Sequence, residues 1–196
     1  MNKKTLIVIG IIASLGLTGC FGGDDTSDVS NQEVVGTKKI YSTDVFSMMI
    51  PLDWEVIEKD KYTSNVPSGT VAAFVNNIKS EQFTANVSVH LTEFSEEDIE
   101  LDNFATSTME QARNTLTSFT EGTKEEINIS QGEGSLPGYL LSFSGKKSAK
   151  DPIVKWNQLV LISNNTGYTI SAAYLSDEDE SVVKKVEEML NSFELK

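Results

Sequence analysis

Cysteine and histidine are nearly absent from this chain: each occurs once in 196 residues, as Cys20 and His90. One cysteine excludes an internal disulfide, and one thiol with one imidazole excludes the usual zinc sites, which draw on several such ligands. A Ser-His-Asp arrangement has His90 as its sole candidate base, and His90 stands in no recognisable motif. The Gly-x-Ser-x-Gly elbow, the phosphate loop and the dinucleotide fingerprint are missing as well. Long hydrophobic runs are scarce; the run from Leu6 to Leu17 falls short of the ~20 apolar residues that span a bilayer. Positive charge is also in short supply, with 16 basic against 29 acidic side chains and a net charge of −13.

What is present at the start is an ordered leader. Lys3 and Lys4 form a positive region, Leu6 to Leu17 a short uncharged one, and the small residues Thr18 and Gly19 precede Cys20. Residues 1–19 are therefore expected to be a signal peptide. Leu17-Thr18-Gly19-Cys20 resembles the lipobox of bacterial lipoproteins, which implies cleavage before Cys20 and lipid on its sulfur. Two or more acyl chains, at ~0.8 kcal/mol per buried CH₂, anchor a protein stably. The expected location is the extracytoplasmic face of the cell membrane, or the outer membrane where the organism has one, because Phe21 rather than an aspartate follows the cysteine. Cleavage removes Lys3 and Lys4, leaving 14 basic against 29 acidic side chains and a net charge of −15. Such a surface repels phosphate backbones and anionic headgroups, which argues against nucleic-acid binding. It favours solubility, and leaves room for cations or a basic partner.

Residues 20–38 hold little apolar surface and are expected to be a flexible acidic tether. Residues 39–196 then make one domain large enough for a core. Strands are expected at Val45–Ile50, Trp54–Ile57, Val71–Val75 and Thr84–Phe94; in the last, Val87, Val89 and Leu91 alternate with Ser88, His90 and Thr92. Ile127–Ile129 and Tyr139–Phe143 read as a hairpin with a long irregular turn, since Gly132, Gly134, Pro137 and Gly138 lie between them. Trp156–Ser163 and Tyr168–Leu175 flank Asn164-Asn165-Thr166-Gly167, and carry apolar residues on both faces, as in the middle of a covered sheet. Leu101, Phe104, Ala105, Thr108, Met109, Ala112, Leu116 and Phe119 form a helical stripe, which Gly122 is placed to end. A second helix opens at Ser176 and buries Val182, Val183, Val186, Met189, Leu190 and Phe193. Runs of strand with helices between and after them predict an α+β fold with a mainly antiparallel sheet.

Tyr41-Ser42-Thr43-Asp44-Val45-Phe46-Ser47, followed by Ile50-Pro51 and Asp53-Trp54, resembles the opening of PsbP-like (PsbP C-terminal/DcrB-like) domains, with the local pattern Phe-x-x-x-Ile-Pro-x-x-Trp. The later order of elements, closing on Ser192-Phe193, is similar too. The resemblance covers residues 39–196 and implies an α/β/α sandwich around a twisted, mainly antiparallel sheet. Its members include extrinsic proteins of photosystem II and many bacterial lipoproteins, but no functional residue set of the photosynthetic members matches this chain.

The candidate sites are few. Cys20 is the lipid attachment residue; no catalytic, cofactor or metal residue is assigned. His90, beside Ser88 and Thr92, reads as a surface histidine. Glu96, Glu97 and Asp98 form one acidic cluster and Asp177 to Glu180 another, the second explained by a helix's positive N-terminal end. Neither has the spacing of a calcium loop. Trp54, Trp156, Tyr168 and Tyr174 are expected in the core rather than around a ligand. The expected function is a non-catalytic, lipid-anchored extracytoplasmic accessory module of the cell envelope, without cofactor, holding a protein partner. The alternatives are an extracytoplasmic hydrolase using carboxylates and a weak cation-binding protein.

Overall fold

The structure is a computed structural model and describes residues 34–57, 59–62, 66–78, 80–95 and 99–196. Residues 1–19, Cys20 and the cluster Glu96, Glu97 and Asp98 lie outside it. Paired backbone begins earlier than the sequence predicts. Val34–Val35 (β1) and Lys38–Ser42 (β2) form a hairpin, Val34 facing Lys39, in a stretch expected to be tether as far as residue 38. Gly36, at φ 64°, supplies the left-handed residue of that turn.

Phe46–Pro51 (β3), Trp54–Ile57 (β4), Thr70–Asn76 (β5) and Asn86–Glu93 (β6) lie where alternation and Pro51 place them. Leu101–Thr115 (α1) follows, and here the structure departs from the expected helix. Leu116 is already extended at φ −89° and ψ 141°, so the helix ends a turn before Phe119, and Gly122 lies inside the next strand, Thr117–Gln131 (β7). The helical stripe overran because Leu116 and Phe119 happen to continue its spacing. β7 pairs along its length with Gly134–Lys146 (β8) through a two-residue turn, Gln131 facing Gly134, where a long irregular turn was expected. Gly132 sits at φ 53° in that turn, and Pro137 is tolerated in β8 because pairing to the next strand starts only at Gly138.

Val154–Ser163 (β9) and Thr166–Leu175 (β10) meet across Asn164-Asn165, both with positive φ, 49° and 58°. Two left-handed residues give a turn whose twist matches the strands, and Asn adopts that conformation readily. Glu180–Asn191 (α2) is capped by Asp179, whose carboxylate accepts from the Ser181 N–H at 2.8 Å, rather than by Ser176. Glu194–Leu195 (β11) ends the fold.

The strands form one eleven-stranded sheet in the order β1-β2-β3-β11-β7-β8-β9-β10-β6-β5-β4, antiparallel except where β11 lies parallel to β7. β3 and β4 are third and last in that order although only two residues, Leu52 and Asp53, and at most about 11 Å of chain, separate Pro51 from Trp54. The sheet must therefore curl back on itself. Its concave face and α2 share the larger core, in which Val186, Met189 and Phe193 join Phe46, Ile50, Phe74, Val87, Leu161 and Ile170. α1 covers the opposite face: Phe104, Ala105, Met109 and Ala112 pack with Leu141, Phe143, Trp156, Val160 and Ala173. Phe143 and Trp156 stack at 5.5 Å. Each such side chain, fully buried, contributes ~1.5–3 kcal/mol. Helices on both faces of a twisted, mainly antiparallel sheet make the α+β sandwich that the sequence predicts.

Candidate functional site

The alternation of β6 sends Val87, Val89 and Leu91 into the core shared with α2, and turns Asn86, Ser88, His90 and Thr92 to the other face. That second face is not open to water. Ser88 is 1% exposed and His90 5%, so the expectation of a surface histidine is overturned. The physical reason is simple: a period of two separates the faces of a strand without saying which of them is covered.

Cross-strand register extends the polar face over four strands. His90 lies between Thr70 of β5 and Thr169 of β10. One row away Ser88 lies beside Ser171, which in turn faces Gln158 of β9. Thr70, Thr169, Ser171 and Gln158 are all buried. The Gln158 amide donates to Ser171 Oγ at 3.0 Å, and the Asn86 amide to the Thr84 carbonyl at 2.9 Å. Seven further buried polar atoms on this face have no hydrogen-bond partner among the described residues: Thr70 Oγ1, Asn86 Oδ1, Ser88 Oγ, His90 Nδ1, Thr92 Oγ1, Trp156 Nε1 and Gln158 Oε1. Leaving one such atom unpaired in an apolar interior costs about 1–3 kcal/mol, so seven on one face need an explanation.

His90 is held neutral by burial, which lowers its pKa below 6.5. Its Nδ1 has no carboxylate to orient it, as a triad would require. Gly69, at φ 90°, rests against the imidazole: a Cβ there would meet His90 Cε1 at 2.5 Å and the Leu91 carbonyl at 2.6 Å. Gly69 also accepts the Leu91 N–H at 3.0 Å, which fixes that loop to the strand.

Carboxylates also line two surface clefts. A surface cleft of about 440 Å³ between β3 and α2 is lined by Asp53 and Glu188, but Lys185 lies 2.5 Å from the first and Lys38 2.9 Å from the second. Another, of about 390 Å³, lies beside Leu101, Glu126 and Tyr139. At its border Lys124 reaches Asp102 at 2.6 Å and stands 4.5 Å above the Tyr139 ring. The Lys124 hydrogen bond and charge hold Asp102 below its usual pKa, while desolvation and then Glu126 push Tyr139 up. Neither cleft brings unpaired acids together. Among the described residues no group of three His, Cys, Asp or Glu side chains could hold a metal ion, and no helix is long and apolar enough to cross a membrane.

Of the other residues singled out in the sequence, Trp54, Trp156, Tyr168 and Tyr174 are in the core as expected. Within the second acidic cluster, Asp179 caps α2. Exposed apolar side chains include Val34 at 60% and Val35 at 50% on β1, which forms one margin of the sheet, Met49 at 38% on β3 and Leu52 at 49% just after it. β1 has β2 as a neighbour on one side only, so its outer backbone groups are unpaired by the described strands.

No protein-family model matches the chain, and no curated protein matches it in sequence. Solved structures do. Cyanobacterial PsbP (CyanoP) from Synechocystis sp. PCC 6803 is similar with a TM-score of 0.60 at 15% identity, over 86% of this chain and 98% of that one. LpqN, involved in cell envelope biogenesis of Mycobacterium tuberculosis, gives 0.58 at 16% identity, over 76% and 82%. The Pseudomonas aeruginosa protein PA94 gives 0.52 at 12% identity, over 80% and 96%. Likeness at these identities is likeness of fold, and the fold of this chain is the PsbP-like α+β sandwich.

Proposed function

We propose that this protein is a non-catalytic accessory module of the bacterial cell envelope, tied to the outer face of a membrane by lipid on Cys20 and holding a protein partner at the β1 margin of its sheet. The observation that carries the reading is that margin. Val34 and Val35 put apolar side chains in water on a strand whose outer backbone groups no described strand pairs, with Leu52 and Met49 exposed nearby on the turn after β3 and on β3 itself; an exposed edge of this kind is how a sheet accepts an added strand from another chain. Two further facts support it. LpqN, which shares the fold, takes part in cell envelope biogenesis. The resemblance of Leu17–Cys20 to a lipobox implies the anchor. Nucleic acid is disfavoured as a partner by the charge of −15 left after cleavage.

The test is site-specific photocrosslinking in native membranes. A benzophenone side chain in place of Val35 should capture one discrete partner, and the same probe in place of Glu133, at the tip of the β7–β8 hairpin, should not. Identical adducts from both positions, or none from either, would remove the case for the β1 margin. In parallel, Cys20→Ser should abolish palmitate labelling and leave the precursor uncut; labelling that persists would sink the lipoprotein reading.

A further inference from the structure

We propose that the outer edge of β7 from Lys124 to Ile129 docks an extended basic segment of another protein, which adds as a strand and lays a lysine or arginine side chain into the cleft beside Glu126. Along this stretch one side of β7 pairs regularly with β8, Lys124 facing Leu141 and Ile129 facing Leu136. The other side has no strand beside it among the described residues, because β11 meets β7 only at Ser130 and Gln131. Every second residue therefore turns an N–H and a C=O outward with no described strand to pair them. The irregularities of β7 fall between Thr117 and Thr120 and between Glu121 and Lys124, so the edge beyond them keeps a regular ladder. It is six residues long, against two in β1. It also lies four places from β1 in the sheet, so it is a different surface from the β1 margin and needs no anchor.

The cleft sets the chemistry of the partner. It measures about 390 Å³ and opens between the first turn of α1 and the β7–β8 hairpin, with Leu101, Pro137 and Tyr139 as walls and Glu126 and Asn128 on its β7 side. Glu126 faces Tyr139 and Asn128 faces Pro137, so a side chain on a strand added ~4.8 Å away stands directly beside them. Glu121 and Asp102 are matched by Arg113 and Lys124, whereas Glu125 and Glu126 form no ion pair among the described residues. Desolvation first and the Glu126 charge second raise the Tyr139 pKa, so that carboxylate acts into the cleft. One cation already rests at the border, Lys124 Nζ, 2.6 Å from Asp102 and 4.5 Å above the Tyr139 ring, and it leaves Glu126 unmatched. A lysine or arginine supplies the missing charge while its methylene stem lies against Pro137 and Leu101. An apolar strand would strip water from Glu126 and put nothing in its place. A second copy of the chain would bring the same carboxylates and a net charge of −15. Because β11 covers Ser130 and Gln131, the added segment ends short of the hairpin tip.

The experiment titrates the full-length chain in nonionic detergent micelles with a short peptide of alternating lysine and valine, followed by nuclear magnetic resonance. Saturable shifts should appear at the Glu125–Ile129 amides and the Tyr139 ring, and exchange of alternate amides in that stretch should slow by ~tenfold or more. The matching peptide of glutamate and valine should not bind. Glu126→Gln should weaken binding about threefold, the weight of an exposed ion pair, at an unchanged unfolding midpoint. Failure of the lysine peptide to saturate would leave the edge without a partner of this kind, and equal binding of the glutamate peptide would remove its charge selectivity. Equal binding of the lysine peptide N-methylated at every residue would reduce the contact to charge attraction without an added strand. Binding untouched by Glu126→Gln, or shifts confined to Val34, Val35 and Lys38, would put the basic segment elsewhere. Concentration-dependent shifts of the same amides before any peptide is added would make the edge a contact between copies of the chain. Any of these results overturns the proposal.

Discussion

A buried imidazole gives this protein a pH response that belongs to one residue. His90 is the chain's single histidine, and burial lowers its pKa in the fold below the 6.5 of an exposed histidine. As pH falls, the unfolded chain takes up the proton first, so the contribution of neutral His90 is complete above 6.5 and is lost as pH drops from there toward the folded pKa. Its cross-strand neighbours Thr70 and Thr169 do not titrate in that range. The urea midpoint should therefore fall between pH 7 and 5.5 in the parent and stay level in His90→Gln; parallel profiles for the two would contradict this. Asp102 and Glu188, held down chiefly by hydrogen bonds from Lys124 and Lys38, act in a more acidic range. Sequence alternation put Ser88, His90 and Thr92 on one face correctly. It missed that the face is covered, and it missed Thr70 and Gln158, which come from strands far along the chain and meet His90 and Ser88 only through register. The reading of Cys20 as a lipid attachment residue rests on Leu17-Thr18-Gly19-Cys20 alone and lies outside the described residues.

At the scale of elements, legibility followed burial. β9 carries apolar side chains on both faces and was readable from composition, as was the stripe of α1. β7 is almost wholly exposed, so no alternation marks it; its Thr117-to-Glu126 stretch is a strand because β8 pairs with it. β11, two residues long, carries even less signal. Turn chemistry was readable where the residue type is demanding. Asn164 and Asn165 hold left-handed conformations that a β-branched residue enters at a cost of ~1–2 kcal/mol. Asn165→Val should thus lower stability by about that much and Asn165→Gly by little or nothing, measured by urea unfolding. Equal losses for both would mean that the Asn165 side chain, rather than its backbone, matters.

For the whole molecule the decisive element is β11. It joins β3 to β7, so the trio β1–β3 reaches the rest of the sheet's hydrogen bonding through Glu194 and Leu195. Ser192 Oγ accepts the Met49 N–H at 2.9 Å, and Phe193 stacks on Phe46 at 5.4 Å. Deleting residues 192–196 should cost about 3–5 kcal/mol from the loss of Phe193 alone. It should also speed amide exchange in Phe46–Met49 far more than in β9 and β10; uniform acceleration across the sheet would argue that β11 is not a separate fastening. The sequence resemblance suggested a chain that closes on Ser192-Phe193, but not that a strand follows and completes the sheet. That placement also dictates the order of assembly. Contacts spanning 143 residues, such as that between Met49 and Ser192, form slowly because so long a loop must close first. Under the proposed export, N-terminus first, this sheet cannot be completed until Glu194 and Leu195 have emerged, and the chain stays threadable for as long as the crossing lasts.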